Sequence, residues 1–326
     1  DERKSSSELG AAAPHKGQII PHPVKDEYLD FLTQYKYDIS NLNIAMDCSN
    51  GMASLLVRDV FGDQPHYIYD TLDGTFPNHE ANPLEMENVK DLQKLVKEIR
   101  ADVGVIFDGD ADRVMFVDEK GNFIPPDLMI AVMSYYFIAE KGVNGKVIVD
   151  IRTSKSVSEF IEKQGREVYM WKVGRAFAAM KLREIDGAFG GEFAGHYYFR
   201  DFFYSDSAMM AALILLHVIS QKKRWGISFS ELIAQIRVYA NSGEINFKIE
   251  DKADAMKAVT EHFTSEEKPI KVMDFDGYRI EFKDCWFNIR PSNTEPYLRL
   301  LMEAKTEKLL AEKLEEAEDI IKKFAP

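Results

Sequence analysis

Apolar positions along this chain follow two rhythms. Short continuous runs, LNIAMD (42–47), DVGVIF (102–107), KVIVD (146–150) and EVYMW (167–171), alternate with stretches over 88–100, 154–164 and 175–185 whose apolar residues recur every three or four positions. A run apolar throughout reads as a strand covered on both faces, and the slower rhythm as a helix burying one stripe. HYIYD (66–70) and GAFGGE add strand-like segments, and Met52–Phe61 reads as a further helix. Strands alternating with helices of this length predict parallel sheets with right-handed crossovers. Near residue 240 the character changes. EINFKIE, KPIKVMD, YRIEF and PYLRLLMEA read as strands with one early helix among them, and a charged helix over Lys305–Phe324 closes the chain.

The predicted fold is therefore α/β: two consecutive α/β domains with mixed, largely parallel sheets, followed by a smaller α+β domain. The expected boundaries are a linker or tail over 1–23, rich in Ser, Ala, Gly and Pro, then domains at 24–123, 124–240 and 241–326. The longest apolar runs, Leu128–Ala139 and Ala208–Ile219, fall well short of the roughly 20 residues of a membrane span and read as buried helices. The opening DERKSSSELG holds no apolar core of a signal peptide.

With 326 residues, 45% hydrophobic and 29% charged, the composition is that of a soluble globular protein. Cys48 and Cys285 are far apart and form no CxxC, which argues against a disulfide framework or zinc site and fits a cytoplasmic location. A net charge of −13 speaks against nucleic acid or an anionic membrane as partner. An anionic ligand would need a local basic cluster working against that field.

Three loops carry candidate chemistry. In DVGVIF-DGDADR-VMFVDE, Asp108, Asp110 and Asp112 stand at alternate positions between two strands, so their carboxylates can converge as hard oxygen ligands for Mg²⁺. The plain alternative is a solvated acidic turn. An EF-hand fails, because Arg113 stands where the calcium loop needs Gly and the flanks are strand-like. GGEFAGH (190–196) sets Glu192 and His196 between glycines, a pairing suited to sugar hydroxyls; a Gly-rich connection between strands explains it equally well. Arg152 follows KVIVD and Arg175 lies in WKVGRAF; each is an anion contact or a solvated helix-start residue, with Lys172 a weaker candidate. In FNIRPSNTEPYLRLLMEA, Arg290, Ser292, Asn293 and Thr294 gather a guanidinium fork, two hydroxyls and an amide, matched to a phosphate dianion or to a capped hairpin.

In their order and spacing these loops resemble those of the α-D-phosphohexomutase superfamily, phosphomannomutase/phosphoglucomutase type, over essentially residues 40–326. DGDADR looks like that family's magnesium loop, and DCSNGM (47–52) and DGTFPNHEANPLEMEN (73–88) resemble its neighbouring segments. Cys48–Gly51 reads from its residues as a strand-to-helix turn rather than the seat of a nucleophilic Ser49. GGEFAGH resembles the sugar loop, usually GEMSGH, and Ala194 departs from its Ser. FNIRPSNTEP resembles the phosphate loop R-x-S-N-T-x-P.

The resemblance implies Asp108, Asp110 and Asp112 as Mg²⁺ ligands and Arg113 and Arg175 as catalytic residues. It implies Arg152, Glu192, His196, Arg290, Ser292, Asn293 and Thr294 as binding a mannose or glucose 1- or 6-phosphate. The implied activity is reversible transfer of phosphate between the 1 and 6 positions of a hexose through a phosphoserine and a bisphosphorylated intermediate. No T-x-S-H-N-P-like loop occurs in this sequence, so the phosphoserine domain is expected to be a missing N-terminal domain of the same protein, and the chain alone to be inactive. The alternatives are a phosphoglucosamine mutase, against which Phe193 and Ala194 count, and a phosphatase or non-catalytic sugar-phosphate-binding protein.

Overall fold

A computed structural model describes residues 17–292 and 296–325. The apolar runs of the first third become strands β1 (Ile44–Asp47), β2 (His66–Ile68), β3 (Val103–Phe107), β4 (Val114–Asp118) and β5 (Phe123–Ile124). They form a sheet of order β2-β1-β3-β4-β5, parallel at β2/β1 and β1/β3 and antiparallel beyond β3. Helices α1 (Lys25–Thr33), α2 (Val57–Phe61) and α3 (Lys90–Glu98) belong to this part. The single helix expected over Met52–Phe61 is a 3₁₀ turn over Met52–Leu55 followed by α2, the two separated at Leu56, whose φ of −129° leaves the helical region.

The second part repeats the plan. Helix α4 (Pro126–Ser134) runs on into a π-helical turn over Tyr135–Glu140, followed by β6 (Val147–Asp150), α5 (Lys155–Lys163), β7 (Val168–Trp171) and α6 (Arg175–Glu184). Strands β8 (Phe189–Gly191), β9 (Tyr197–Phe199) and β10 (Ser205–Asp206) follow, then α7 (Ala208–Arg224) and α8 (Phe229–Ile236). The order β7-β6-β8-β9-β10 has the same parallel and antiparallel pairings, strand for strand, as the first sheet. The loop after β3 and the loop after β8 are thus topological equivalents. One apolar core runs through both parts, because α4 and α7, buried nearly all round, lie between the sheets. Separate small clusters under α3 and α6 cover the outer faces.

The third sheet is antiparallel throughout, in the order β11 (Ala240–Lys248), β15 (Tyr297–Ala304), β14 (Cys285–Pro291), β13 (Tyr278–Glu281), β12 (Lys271–Met273). Helices α9 (Lys252–Glu266) and α10 (Glu307–Lys322) close its own core on one face. Among the described residues no helix is long and apolar enough to cross a membrane.

Candidate active site

Strand β3 is buried along its whole length and ends at Phe107, so the chain emerges abruptly into Asp108–Arg113 before β4. Ligand oxygens of Asp108, Asp110 and Asp112 lie within 4.8 Å of one another. Arg113 Nε donates to Asp108 Oδ2 at 2.6 Å, and Arg113 Nη1 to Asn82 Oδ1 at 3.4 Å. The loop rests on backbone. Met52 N donates to Gly109 O (2.9 Å), Gly109 N to Ala81 O (3.1 Å), and Ser49 Oγ to Phe107 O (2.6 Å). A Cβ at Gly51 would lie 2.7 Å from Gly109 O, so only glycine permits that approach. His79 Nε2 sits 3.1 Å from Asp47 Oδ2, and Asn78 donates to Asn50, which ties the 78–82 segment to the backing turn. Ser49 is buried in that turn.

Asp112 faces the second domain. Its carboxylate is 3.7 Å from His196 Nδ1 and 4.0 Å from Arg175 Nη1. Both of those groups bind Asp206: His196 Nδ1 donates to Oδ2 at 2.9 Å and Arg175 Nε to Oδ1 at 2.7 Å. Burial, then Asp108, Asp110 and Asp206, push Asp112 up to about 6 against the charge of His196. Burial opposes the His196 imidazolium, but the bond to Asp206 and the charge of Asp112 outweigh it and raise its pKa. Burial likewise opposes the Asp206 carboxylate, and the bonds from His196 and Arg175 hold it below the usual range.

The loop after β8 carries Glu192, which accepts the Gly174 amide at 2.9 Å and is pushed up to about 6 by burial and by Asp150, against Arg152. Gly195 has φ of +91°, and its carbonyl accepts the Val114 amide at 3.3 Å. The sugar-loop candidate is thereby bonded to the strand that leaves the aspartate loop. Lys172, the weaker candidate, lies with its amine 6.0 Å from the centre of the Phe177 ring.

Arg152 and Arg290 meet at the junction with the third sheet, 4% and 2% exposed. Arg152 Nη2 and Nε donate to Asp150 at 2.8 and 3.3 Å, and Nη1 reaches Glu244 Oε2 at 3.4 Å. Arg290 Nη2 is 3.6 Å from the same Oε2, while Arg299 Nη1 donates to Glu244 Oε1 at 2.9 Å. Burial and the neighbouring Arg152 lower the pKa of Arg290. Ser292 N donates to Tyr297 O (2.9 Å), closing the loop; Asn293 and Thr294 lie outside the described residues.

The fold thus draws Asp108, Asp110, Asp112, Arg113, Arg175, Glu192 and His196 into one wall and sets Arg152, Arg290 and Ser292 at its third-sheet end. Sequence reasoning missed Asp150, Asp206, Glu244 and Arg299. Asp206 and Glu244 meet partners from other elements and have no local signature, whereas Arg299 stands in the quoted phosphate-loop segment and Asp150 ends a predicted strand. Of the other acidic groupings, His262, Glu266 and Glu316 converge on the third domain, but Lys313 Nζ lies 3.0 Å from both carboxylates and takes a cation's place.

Three family models match in order: "Phosphoglucomutase/phosphomannomutase, alpha/beta/alpha domain II" over 26–121, "alpha/beta/alpha domain III" over 125–239 and the "C-terminal domain" over 244–320. A phosphomannomutase of Methanocaldococcus jannaschii is 38% identical over 302 residues, 92% of this chain and 65% of that protein. One of Vibrio cholerae is 35% identical over 324 residues, 95% and 68% of the two chains. A phosphoglucomutase/phosphomannomutase family protein of Burkholderia thailandensis has a solved structure similar to this fold, with TM-score 0.77 at 25% identity over 92% of this chain and 64% of that one. The chain spans about two thirds of the length of these relatives.

Proposed function

The chain belongs to the phosphoglucomutase/phosphomannomutase family, and we propose that these loops bind a hexose phosphate as the metal, sugar and phosphate sites of a phosphohexomutase. The reaction would be reversible phosphate transfer between the 1 and 6 positions of mannose or glucose, through a phosphoserine supplied by a further domain. One observation carries this reading. Loops of three sheets are joined by charged bridges, Asp112 to His196 and Arg175 at one end and Arg152–Glu244–Arg290 at the other. A hexose with a phosphate at one end and a reacting oxygen at the other has matching polarity along its length.

Asp108, Asp110 and Asp112 would hold Mg²⁺. The fit is chemical: three hard carboxylates offer oxygens within 4.8 Å of one another, with Asp108 oriented by Arg113 Nε at 2.6 Å. A bound Mg²⁺ supplies positive charge where a transferring phosphoryl group accumulates negative charge. The chain's own residues do the rest. Arg290 and Ser292, with Asn293 and Thr294, would take the phosphate that is not transferred, its two-donor fork fixing orientation. Glu192 would accept from ring hydroxyls. Asp206 binds His196 at Nδ1, so the other ring nitrogen would face the sugar and exchange a proton with a reacting hydroxyl. Arg175, oriented by the same Asp206, would offset charge near Asp112. Ala194 offers no hydroxyl to the sugar, so discrimination among epimers would rest on Glu192 and His196.

Calorimetry with glucose 1-phosphate and mannose 1-phosphate, with and without Mg²⁺, tests the reading. Weak binding is expected, enhanced by Mg²⁺ in the wild type and not in Asp110→Ala. Arg290→Lys should weaken it by about tenfold or more, since an ammonium cannot reproduce the planar fork. Equal affinity in wild type and Arg290→Lys would place the phosphate elsewhere.

A further inference from the structure

Glu244 has an unusual set of neighbours: one carboxylate stands against three guanidiniums, those of Arg152, Arg290 and Arg299, at 3.4, 3.6 and 2.9 Å. Its placement is built rather than incidental. The pairing of β11 with β15 slips between Asn241 and Glu244, and within the slip Gly243 has φ of +69° and donates its amide to Asn241 Oδ1 at 2.6 Å. A bulge of this kind re-aims the side chains that follow it. Arg290 is the poorly satisfied member of the set. Asp150 is committed to Arg152 through both oxygens, and among the described residues Arg290 has Glu244 as its one ion-pair partner. Arg290 Nε is buried without a hydrogen-bond partner among the described residues, the residue being 2% exposed. A buried, unpaired guanidinium donor is costly and marks a place where an acceptor belongs. One carboxylate oxygen, 3.4 Å from Arg152 and 3.6 Å from Arg290, satisfies Arg290 poorly; a phosphate dianion with three terminal oxygens would do so better.

We propose that Glu244 is an internal stand-in for the ligand phosphate, holding the guanidiniums of the cradle together when it is empty and competing with phosphate for them. This rests on the reading of Arg290 as a phosphate contact. Two consequences follow. The cradle stays assembled without ligand, because Arg290, which has no other ion-pair partner among the described residues, is held beside the like charge of Arg152. Phosphate affinity is also set below what the arginines alone would give, because binding must displace a carboxylate or be borne beside one. Such a device limits how tightly the cradle retains a phosphate ligand.

Inorganic phosphate is the probe, titrated calorimetrically into the 326-residue chain and into Glu244→Gln, Glu244→Asp and Arg290→Lys. Glu244→Gln removes the competing charge and should tighten phosphate binding by about tenfold or more. Glu244→Asp, one methylene shorter, should fall between it and wild type. The rise in melting temperature per increment of phosphate should follow the same order, even if Glu244→Gln melts lower without ligand. Unchanged or weaker phosphate binding in Glu244→Gln overturns the proposal; if that variant does not fold, Glu244→Asp carries the test, and no gain over wild type overturns it. Arg290→Lys separates the two readings. If it binds phosphate as well as wild type, the cradle itself is misplaced; if it binds worse while the Glu244 variants do not tighten, the stand-in role alone fails.

Discussion

A methyl group added at Gly277 would lie 2.3 Å from the Ile289 carbonyl oxygen and 2.4 Å from Arg290 Cβ, and the residue has φ of +66°. Gly62 has nearly the same φ, +67°, with ψ of −150° and nothing within 4 Å. The pair separates two costs that glycine avoids. Gly62→Ala should carry backbone strain alone, roughly 1–3 kcal/mol, because φ +67° with ψ −150° is a conformation kept almost entirely to glycine. Gly277→Ala adds a collision with backbone that cannot swing aside and should cost roughly 2–4 kcal/mol. It should also weaken phosphate binding, because the displaced atoms carry Arg290. Thermal and urea unfolding of both variants check this, and equal losses would mean that the strand beside Arg290 yields freely. Asp206 shows the same dependence on surroundings from the electrostatic side. Its ordinary carboxyl is useful because β10 places it between His196 and Arg175, which it holds facing Asp112.

Among elements, the repeated sheet plan explains the site's symmetry. Asp47 ends β1 and accepts the Ser49 amide; Asp150 ends β6 and accepts the Arg152 amide, the same turn at the equivalent strand. Helix starts are tied to these turns. Asp127, in the first turn of α4, accepts the amide of Ser154, the residue capping α5, at 2.8 Å. Its burial, with Glu303 and Asp150 adding to it, pushes it up to about 7 despite that bond. Between the ordinary carboxyl range and about 7 the folded state therefore holds a proton that the unfolded chain has lost. Stability from this group is full below the unfolded pKa and falls as pH rises through about 7. Asp127→Asn mimics the protonated form and keeps an acceptor for Ser154, so its advantage over wild type should grow from pH 4 to pH 7.5. Melting temperatures across that range decide it; parallel curves would mean that Asp127 stays ionised. Much at this scale was legible in the sequence. The doubly covered strands read as unbroken apolar runs, and α3 and α5 as periodic stripes, because burial on two faces or one leaves those patterns. Strands β5, β9 and β10 span only two or three residues and are set by partners in space, so no local pattern announces them. The 3₁₀ turn at Met52–Leu55 escaped too, since no residue pattern marks the break at Leu56.

At the scale of the whole molecule, a net charge of −13 makes the buried arginines stand out, and most of them lie where the third sheet meets the second. The three loops themselves were visible as residues, but their convergence was not, since Glu244 meets Arg152 across 92 positions of chain. Arg279 is the fastening. Only 1% exposed, it donates through Nη1 to the carbonyls of Ile151 and Thr153 at 2.8 and 2.7 Å and through Nε to Glu281 at 2.8 Å, with its guanidinium 3.5 Å from the centre of the Trp286 ring. Trp286 Nε1 donates to Glu303, which also accepts the Lys155 amide, so the third sheet grips both ends of the segment that carries Arg152. Arg279→Met keeps length and apolar contact but leaves two buried carbonyls and a carboxylate without their donor. A loss of roughly 3–5 kcal/mol is expected for breaking such a buried pair. The third sheet has its own core, so the loss should surface as uncoupling: calorimetric melting splits, and amides over 150–155 exchange faster while those inside α9 and α10 keep their protection. Arg279→Lys retains the charge but neither the fork nor the stacking and should lie between. A single transition with an unchanged midpoint in Arg279→Met would show that the sheets are joined by packing and the other bonds, with Arg152 held from its own side by Asp150.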